Sequence, residues 1–114
     1  MEITRIETID CIAMMERVDS DTAGVLEKTL NNLVATGSKE LVCDFSATTY
    51  ISSAGLRVLL SVTKTLVRSH GRLVLCSLRP GVTEVIMVAG FNEIIPIYPT
   101  RDAAIKILSG NTGP

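Results

Sequence analysis

Polar and apolar residues alternate along Ile3-Thr4-Arg5-Ile6-Glu7, the two-residue rhythm of a strand that turns one face to a core. A second, more apolar run, Cys11-Ile12-Ala13-Met14-Met15, follows closely, so the chain opens on two short strands over residues 3–8 and 11–16 joined at Ile9-Asp10. The rhythm then changes. Asp19-Ser20-Asp21-Thr22 offers several helix caps, and Leu26, Leu30, Leu33 and Val34 recur at helical spacing opposite Glu27, Lys28, Asn31 and Asn32 until Gly37. Glu40-Leu41-Val42-Cys43-Asp44-Phe45 reads as a buried strand whose carboxyl end surfaces at Asp44.

The next helix begins near Ser53 and stops around His70-Gly71. Leu56, Leu59, Leu60, Thr63, Leu66 and Val67 are expected to face inward, with Arg57, Ser61, Lys64 and Arg68 as one polar stripe. Arg72-Leu73-Val74-Leu75-Cys76 is a further buried strand. Pro80-Gly81 opens a short helix with Val82, Val85, Ile86 and Ala89 inward, closed by Gly90. Ile94-Ile95-Pro96-Ile97-Tyr98 is an edge strand, because Pro96 cannot donate to an interior ladder. Thr100 caps a last helix over Arg101–Leu108. Strands alternating with helices predict an α/β domain: a mixed, mostly parallel sheet with an N-terminal antiparallel strand and about four helices. The domain is expected over residues 1–109, with 110–114 a flexible tail.

Composition narrows the function classes. At 114 residues the chain suits one domain, and 46% hydrophobic residues with no Trp give an aliphatic core with no stacking platform for bases. A net charge of -1 with singly scattered cations leaves no footprint for nucleic acid. The N-terminus is not a signal peptide, and the apolar run near residues 56–62, broken by Arg57 and Ser61, falls short of the roughly 20 residues a membrane span needs. Cys11, Cys43 and Cys76 are odd in number and each lies in an apolar run, which predicts free thiols and a cytoplasmic, reducing setting.

Enzyme signatures are lacking. The one histidine, His70, is separated from the serines by a long helix, so a serine hydrolase triad at Ser53 is disfavoured. The cysteines form no C-x-x-C pair, and Asp19 with Asp21 suits a cap better than a metal. Neither G-x-G-x-x-G nor a P-loop occurs, and no cofactor is expected.

What remains is the junction Tyr50-Ile51-Ser52-Ser53-Ala54-Gly55-Leu56-Arg57, where a strand gives way to a helix. Unpaired amides and the helix dipole make this place tolerant of a phosphate. An ordinary reading is a serine cap, with Ala54 and Gly55 letting the helix approach the sheet closely. If the second and third strands are neighbours, Asp19, Asp44 and Ser53 share the carboxyl rim, where open α/β folds place their ligands. A phosphate on that acidic rim alters docking by repulsion, which suits on/off binding better than catalysis.

These residues resemble the STAS family, the domain shared by sulphate transporters and bacterial anti-sigma factor antagonists. Val18-Asp19 resembles the family's Leu-Asp before the first helix, and Asp44-Phe45-Ser46 its acidic strand ending. Ser53-Ala54-Gly55-Leu56 is similar to its helix start, and Gly71-Arg72-Leu73 and Ala89-Gly90-Phe91 to later turns. The resemblance covers nearly the whole chain and implies that Ser53 is the phosphorylated serine. Ser52 stands where the family has aspartate, which makes it a rival site. Ala54 stands where a second hydroxyl is frequent, and Glu16 replaces a turn glycine.

The resemblance also implies partner switching. The unphosphorylated protein binds an anti-sigma factor that is also a serine kinase, phosphorylation ends the binding, and a PP2C-type phosphatase resets it. The docking rim it implies is Asp19, Asp44, Ser52, Ser53, Ala54, Gly55 and Arg57, on a protein without catalysis that is a monomer or weak dimer. Open alternatives are an unphosphorylated STAS adaptor in a lipid-transport or signalling complex, a small serine hydrolase, and a domain cut from a transporter, against which the Met1 start argues.

Overall fold

The backbone of strands 9–13, 40–44 and 72–76 is buried on both sides, and that fixes the layering. In the computed structural model, which describes residues 1–110, the elements run β1 Glu2–Ile6, β2 Ile9–Ala13, β3 Arg17–Val18, α1 Ala23–Ala35, β4 Glu40–Asp44 and β5 Tyr50–Ile51. They continue with α2 Ser53–Arg68, β6 Arg72–Cys76, α3 Pro80–Val88, a 3-10 turn Phe91–Glu93, β7 Ile97–Tyr98 and α4 Arg101–Leu108. The tail expected at 110–114 lies, after residue 110, outside the described residues.

The main sheet has the order β1-β2-β4-β6-β7, antiparallel between β1 and β2 and parallel elsewhere. Alternation along each strand divides two cores. Ile12, Leu41, Cys43, Leu73 and Leu75 pack under α1, α2 and α3, whereas Ile9, Cys11, Val42, Val74 and Cys76 pack under α4 through Ala104 and Leu108. Four helices and a mixed, mostly parallel sheet are the architecture expected from the chain's alternating patterns.

Several boundaries differ from the expected ones, each for a physical reason. The first hairpin turns at Glu7-Thr8, not at Ile9-Asp10: Ile9 pairs with Ile6, and Glu7 takes the positive φ of 58° that a two-residue turn needs. Asp10 looked like a turn residue but is buried, where its carboxylate accepts from Arg5 Nη1 at 3.0 Å and from the Ser38 hydroxyl. The last strand shortens to two residues, because 91–93 forms a helical turn. It keeps the expected edge position, and Pro96, without an N–H, serves as acceptor for Leu75 N–H at 2.9 Å. In α3, Val82 and Ile86 are buried as expected, while Val85 and Ala89 are exposed.

Helix α2 is rotated from its expected setting. Val58 and Val62 join Leu56, Leu59, Thr63 and Leu66 in the core, Leu60 is half-buried, and Val67 is 62% exposed. The helix ends with Gly71 N–H donating to Leu66 C=O at 2.7 Å and His70 in the left-handed region at φ 62°. Glycine is used one residue later than usual, because a Cβ on Gly71 would collide with the Lys39 carbonyl.

All three cysteines are free and buried. Burial pushes each thiol up, most for Cys43 and to about 11 for Cys76. The native protein is expected to give almost no reaction with an aromatic disulfide reagent at mildly alkaline pH, and three thiols per chain once guanidinium is added. Rapid labelling of the native state would contradict this packing.

Candidate functional site

The serine pair sits where a two-residue strand meets a helix. β5 pairs in parallel with β3, Arg17 opposite Tyr50 and Val18 opposite Ile51, a small second sheet that the sequence patterns did not reveal. Two-residue strands carry no periodicity to detect. The ladder ends in a bond from Ser52 N–H to Val18 C=O at 2.8 Å, and Ser52 C=O then accepts the first helical bond, from Leu56 N–H at 3.0 Å. Gly55 makes this join possible: a Cβ there would lie 2.5 Å from Val18 Cγ1 and 2.9 Å from Val18 O. The close approach expected from Gly55 is thus present, and its partner is β3.

The two hydroxyls differ. Ser52 occupies the N-cap position with extended backbone, ψ 173°, but makes no side-chain cap bond, and its Oγ is buried without a hydrogen-bond partner. Ser53 is the first residue of α2 and is exposed. The first turn of α2 contains no acidic residue, so its free amides keep their positive potential. Arg57, one turn on, is exposed and donates from Nε to Ser53 C=O at 3.4 Å.

Asp19 reaches this place by a route other than the expected one. The β2 residue paired with Asp44 is Ala13; Asp19 instead follows β3 directly, next to the Val18 that holds Ser52. Its Oδ1 accepts from the N–H groups of Asp21 and Thr22 at 3.0 and 3.2 Å, and its Oδ2 from Arg17 Nε at 3.1 Å. Partial burial acts to raise the carboxyl pKa, but the Arg17 hydrogen bond, the two backbone N–H bonds and the Arg17 charge outweigh it, and the net shift is downward.

Asp44 stands at the carboxyl end of β4 but does not surface there: it is buried, on the opposite face of the sheet. It alternates with Cys43 toward α4, where its Oδ2 accepts from Arg101 Nε at 3.0 Å and its Oδ1 from Ser46 N–H at 2.9 Å. The structure therefore groups Asp19, Ser52, Ser53, Ala54, Gly55 and Arg57 around the start of α2 and leaves the Asp44 carboxylate on the α4 side of the sheet.

Two further residues belong to the group. The Arg17 guanidinium lies 4.5 Å from the centre of the Tyr50 ring, and Tyr50 is 43% exposed beside the serines. No spacing rule links residues 17 and 50; only the unforeseen β3–β5 pairing does. The loop behind them is tied by Thr48 Oγ1 donating to Met15 C=O at 2.7 Å and Thr49 N–H to Glu16 C=O at 2.8 Å. His70, the one histidine, stands past the far end of the 16-residue α2, roughly 24 Å from Ser53 at 1.5 Å per residue. That is too far for it to take the serine's proton. Among the described residues, no group of three or more His, Cys, Asp or Glu side chains is placed to hold a metal ion. No helix among them is long and apolar enough to cross a membrane.

An α/β module with an exposed serine at a helix start is the class this arrangement defines. The STAS domain model matches residues 1–104, and the chain belongs to the STAS domain family. It is 46% identical over 87 residues to a protein of Bordetella bronchiseptica provisionally named anti-sigma factor antagonist BtrV, covering 76% of this chain and 75% of that one. An anti-sigma factor antagonist from Mycobacterium paratuberculosis superposes with a TM-score of 0.85 at 25% identity, over 93% of this chain and 90% of that one. The phosphorylated form of the Bacillus cell fate determinant SpoIIAA shares the fold at 16% identity with a TM-score of 0.73, over 94% and 97% of the two chains.

Two outcomes test the geometry. Gly55→Ala is expected to destabilise the fold by about 1–3 kcal/mol through overpacking against Val18, measured by chemical denaturation; an unchanged midpoint would mean β3 yields freely. For Asp19, a carboxyl held below its ordinary 3.8 contributes stability fully above that value and loses it as pH falls through the lower folded one. The stability gap between wild type and Asp19→Asn should therefore be widest near neutrality and shrink on acidification. A pH-independent gap would rule out the charge as its source.

Proposed function

We propose that this protein is an anti-sigma factor antagonist that works by partner switching. It binds an anti-sigma factor that is also a serine kinase through the surface around the start of α2, and phosphorylation of Ser53 ends the binding. A PP2C-type serine phosphatase resets it. The protein itself contributes a docking surface and a phosphate acceptor, and ATP belongs to the kinase.

The observation that carries this reading is the difference between the two hydroxyls: Ser53 is exposed at the first residue of α2, whereas the Ser52 Oγ is buried. A kinase must bring the acceptor oxygen to its own active site, and only Ser53 offers one. Ser52 thus replaces the family's aspartate without competing for the phosphate. The 46% identical relative with an antagonist's name supports the same reading.

A phosphate at Ser53 adds about 1.5–2 negative charges. The free amides of the first turn and the Arg57 guanidinium favour it locally, so the fold accepts the group. A partner seated there meets a new dianion that it must desolvate, beside the Asp19 carboxylate. The switch therefore acts on binding and leaves the fold in place.

This separation is measurable. With ATP and any anti-sigma factor kinase found encoded near this chain's gene, mass spectrometry should find the phosphate on Ser53 and none on the Ser53→Ala protein, which should stay bound. Ser53→Asp should weaken binding about tenfold or more while leaving thermal stability equal or raised by about 0.3–1 kcal/mol. Phosphate on Ser52 in the Ser53→Ala protein, or full binding by Ser53→Asp, would overturn the assignment. Binding that persists while neither serine accepts phosphate would mark an adaptor or scaffold instead.

A further inference from the structure

Helix α2 holds three charged side chains, Arg57, Lys64 and Arg68, and all are cationic. None is in an ion pair among the described residues, whereas Arg5, Arg17, Arg72 and Arg101 each hold a carboxylate. Lys64 and Arg68 stand one turn apart with nothing between them to relieve their repulsion. Beside them runs a groove of about 500 Å³ lined by Leu60, Thr63, Lys64, Val67, Arg68 and Ile94. Val67 and Ile94 are 62% and 53% exposed, so the groove presents apolar side chains to solvent under a cationic lip with no carboxylate.

The groove is continuous with the serine site. Ser53, Arg57, Leu60, Lys64 and Val67 follow at steps of four and three residues, which places them on one stripe of the helix. A contact confined to the first turn falls short of the roughly 800 Å² per partner of an ordinary stable interface. Extending it along the stripe adds both area and apolar anchors.

We propose that the anti-sigma factor kinase lays a carboxylate-bearing amphipathic helix along this stripe, its apolar side chains between Leu60, Val67 and Ile94 and its carboxylates over Lys64 and Arg68. The inference rests on the partner-switching reading and extends its docking surface to the far half of α2. Charge complementarity selects the occupant. A second copy of this chain meeting the face symmetrically would set cations against cations, and an acidic segment meets two unpaired ones.

Calorimetric titration of the kinase against four proteins decides it: wild type, Ser53→Asp, Lys64→Glu/Arg68→Glu and Val67→Asp. The substituted groove residues are exposed, and thermal melts check that each variant folds. The double charge reversal is expected to weaken binding about tenfold and to flatten its dependence on salt, and Val67→Asp to weaken it comparably. If both groove variants bind within about twofold of wild type while Ser53→Asp does not bind, docking is confined to the first turn and partner switching survives alone. If the groove variants lose binding and Ser53→Asp keeps it, the groove stands and the switch at Ser53 falls. Absence of binding by wild type overturns both. Vesicles containing phosphatidylserine form the last arm: sedimentation with them, lost in the double variant while kinase affinity is unchanged, would assign the face to an anionic membrane and overturn the proposal.

Discussion

The site depends on one close approach, that of Val18 to Gly55. With hydrogen at position 55 the β3 backbone comes near enough for its carbonyl to take the Ser52 N–H at 2.8 Å, and any side chain there would push it off. Everything at the serine pair follows. The β3–β5 ladder sets Arg17 against Tyr50, places Asp19 beside the helix start, closes over the Ser52 hydroxyl and leaves Ser53 outside. Serine in the N-cap position usually satisfies an orphan amide. Here Ser52 does not, and the first turn keeps its donors without a side-chain cap.

Strand alternation has an equally direct effect on the rim. Residues at the carboxyl ends of parallel strands share an edge, yet neighbours in sequence leave it on opposite faces. Asp44 and Phe45 illustrate this: Phe45 is buried with α1, α2 and α3, while Asp44 turns to Arg101 at the start of α4. An acid at the end of β4 therefore anchors α4 to the sheet. The acid beside the serines is supplied separately, by the short β3 excursion between β2 and α1.

How much of this could be read from the chain varies with the length of the pattern. The buried strands 40–44 and 72–76, the Thr100 cap, which accepts from Ala103 N–H at 3.1 Å, and the edge position of Pro96's strand all rest on signals spanning several residues, and they stand where expected. The serine junction was legible for the same reason. The failures are local. Asp10 resembles a turn residue because its partners, Arg5 on β1 and the buried Ser38 in the loop before β4, are brought to it only by the fold, and Val67 is expected inward because Leu60 and Val67 fit the helical period as well as Val58 and Val62 do. Periodicity gives a stripe but not its rotation when apolar residues fill half the helix, as they do in α2. That ambiguity matters functionally, since the residues it misassigned line the exposed groove.

A net charge of -1 conceals how the charges are sorted. Four arginines are spent on Asp10, Asp19, Asp44 and Glu40, which tie β1, the β3 turn, α4 and β6 into the framework. The cations of α2 hold no carboxylate among the described residues and so define the potential of that face. A phosphate of about two charges at Ser53 would offset roughly two of the face's three positive ones if distance did not count. Distance does count: the screening length is about 8–10 Å at physiological salt. Arg57 lies about 6 Å along the axis from Ser53 and Arg68 about 22 Å. The phosphate therefore neutralises the near end of the stripe and leaves the far end cationic. In the proposed switch, loss of binding on phosphorylation would then come from the cost of burying a dianion at the first turn, not from erasing the attraction farther along α2.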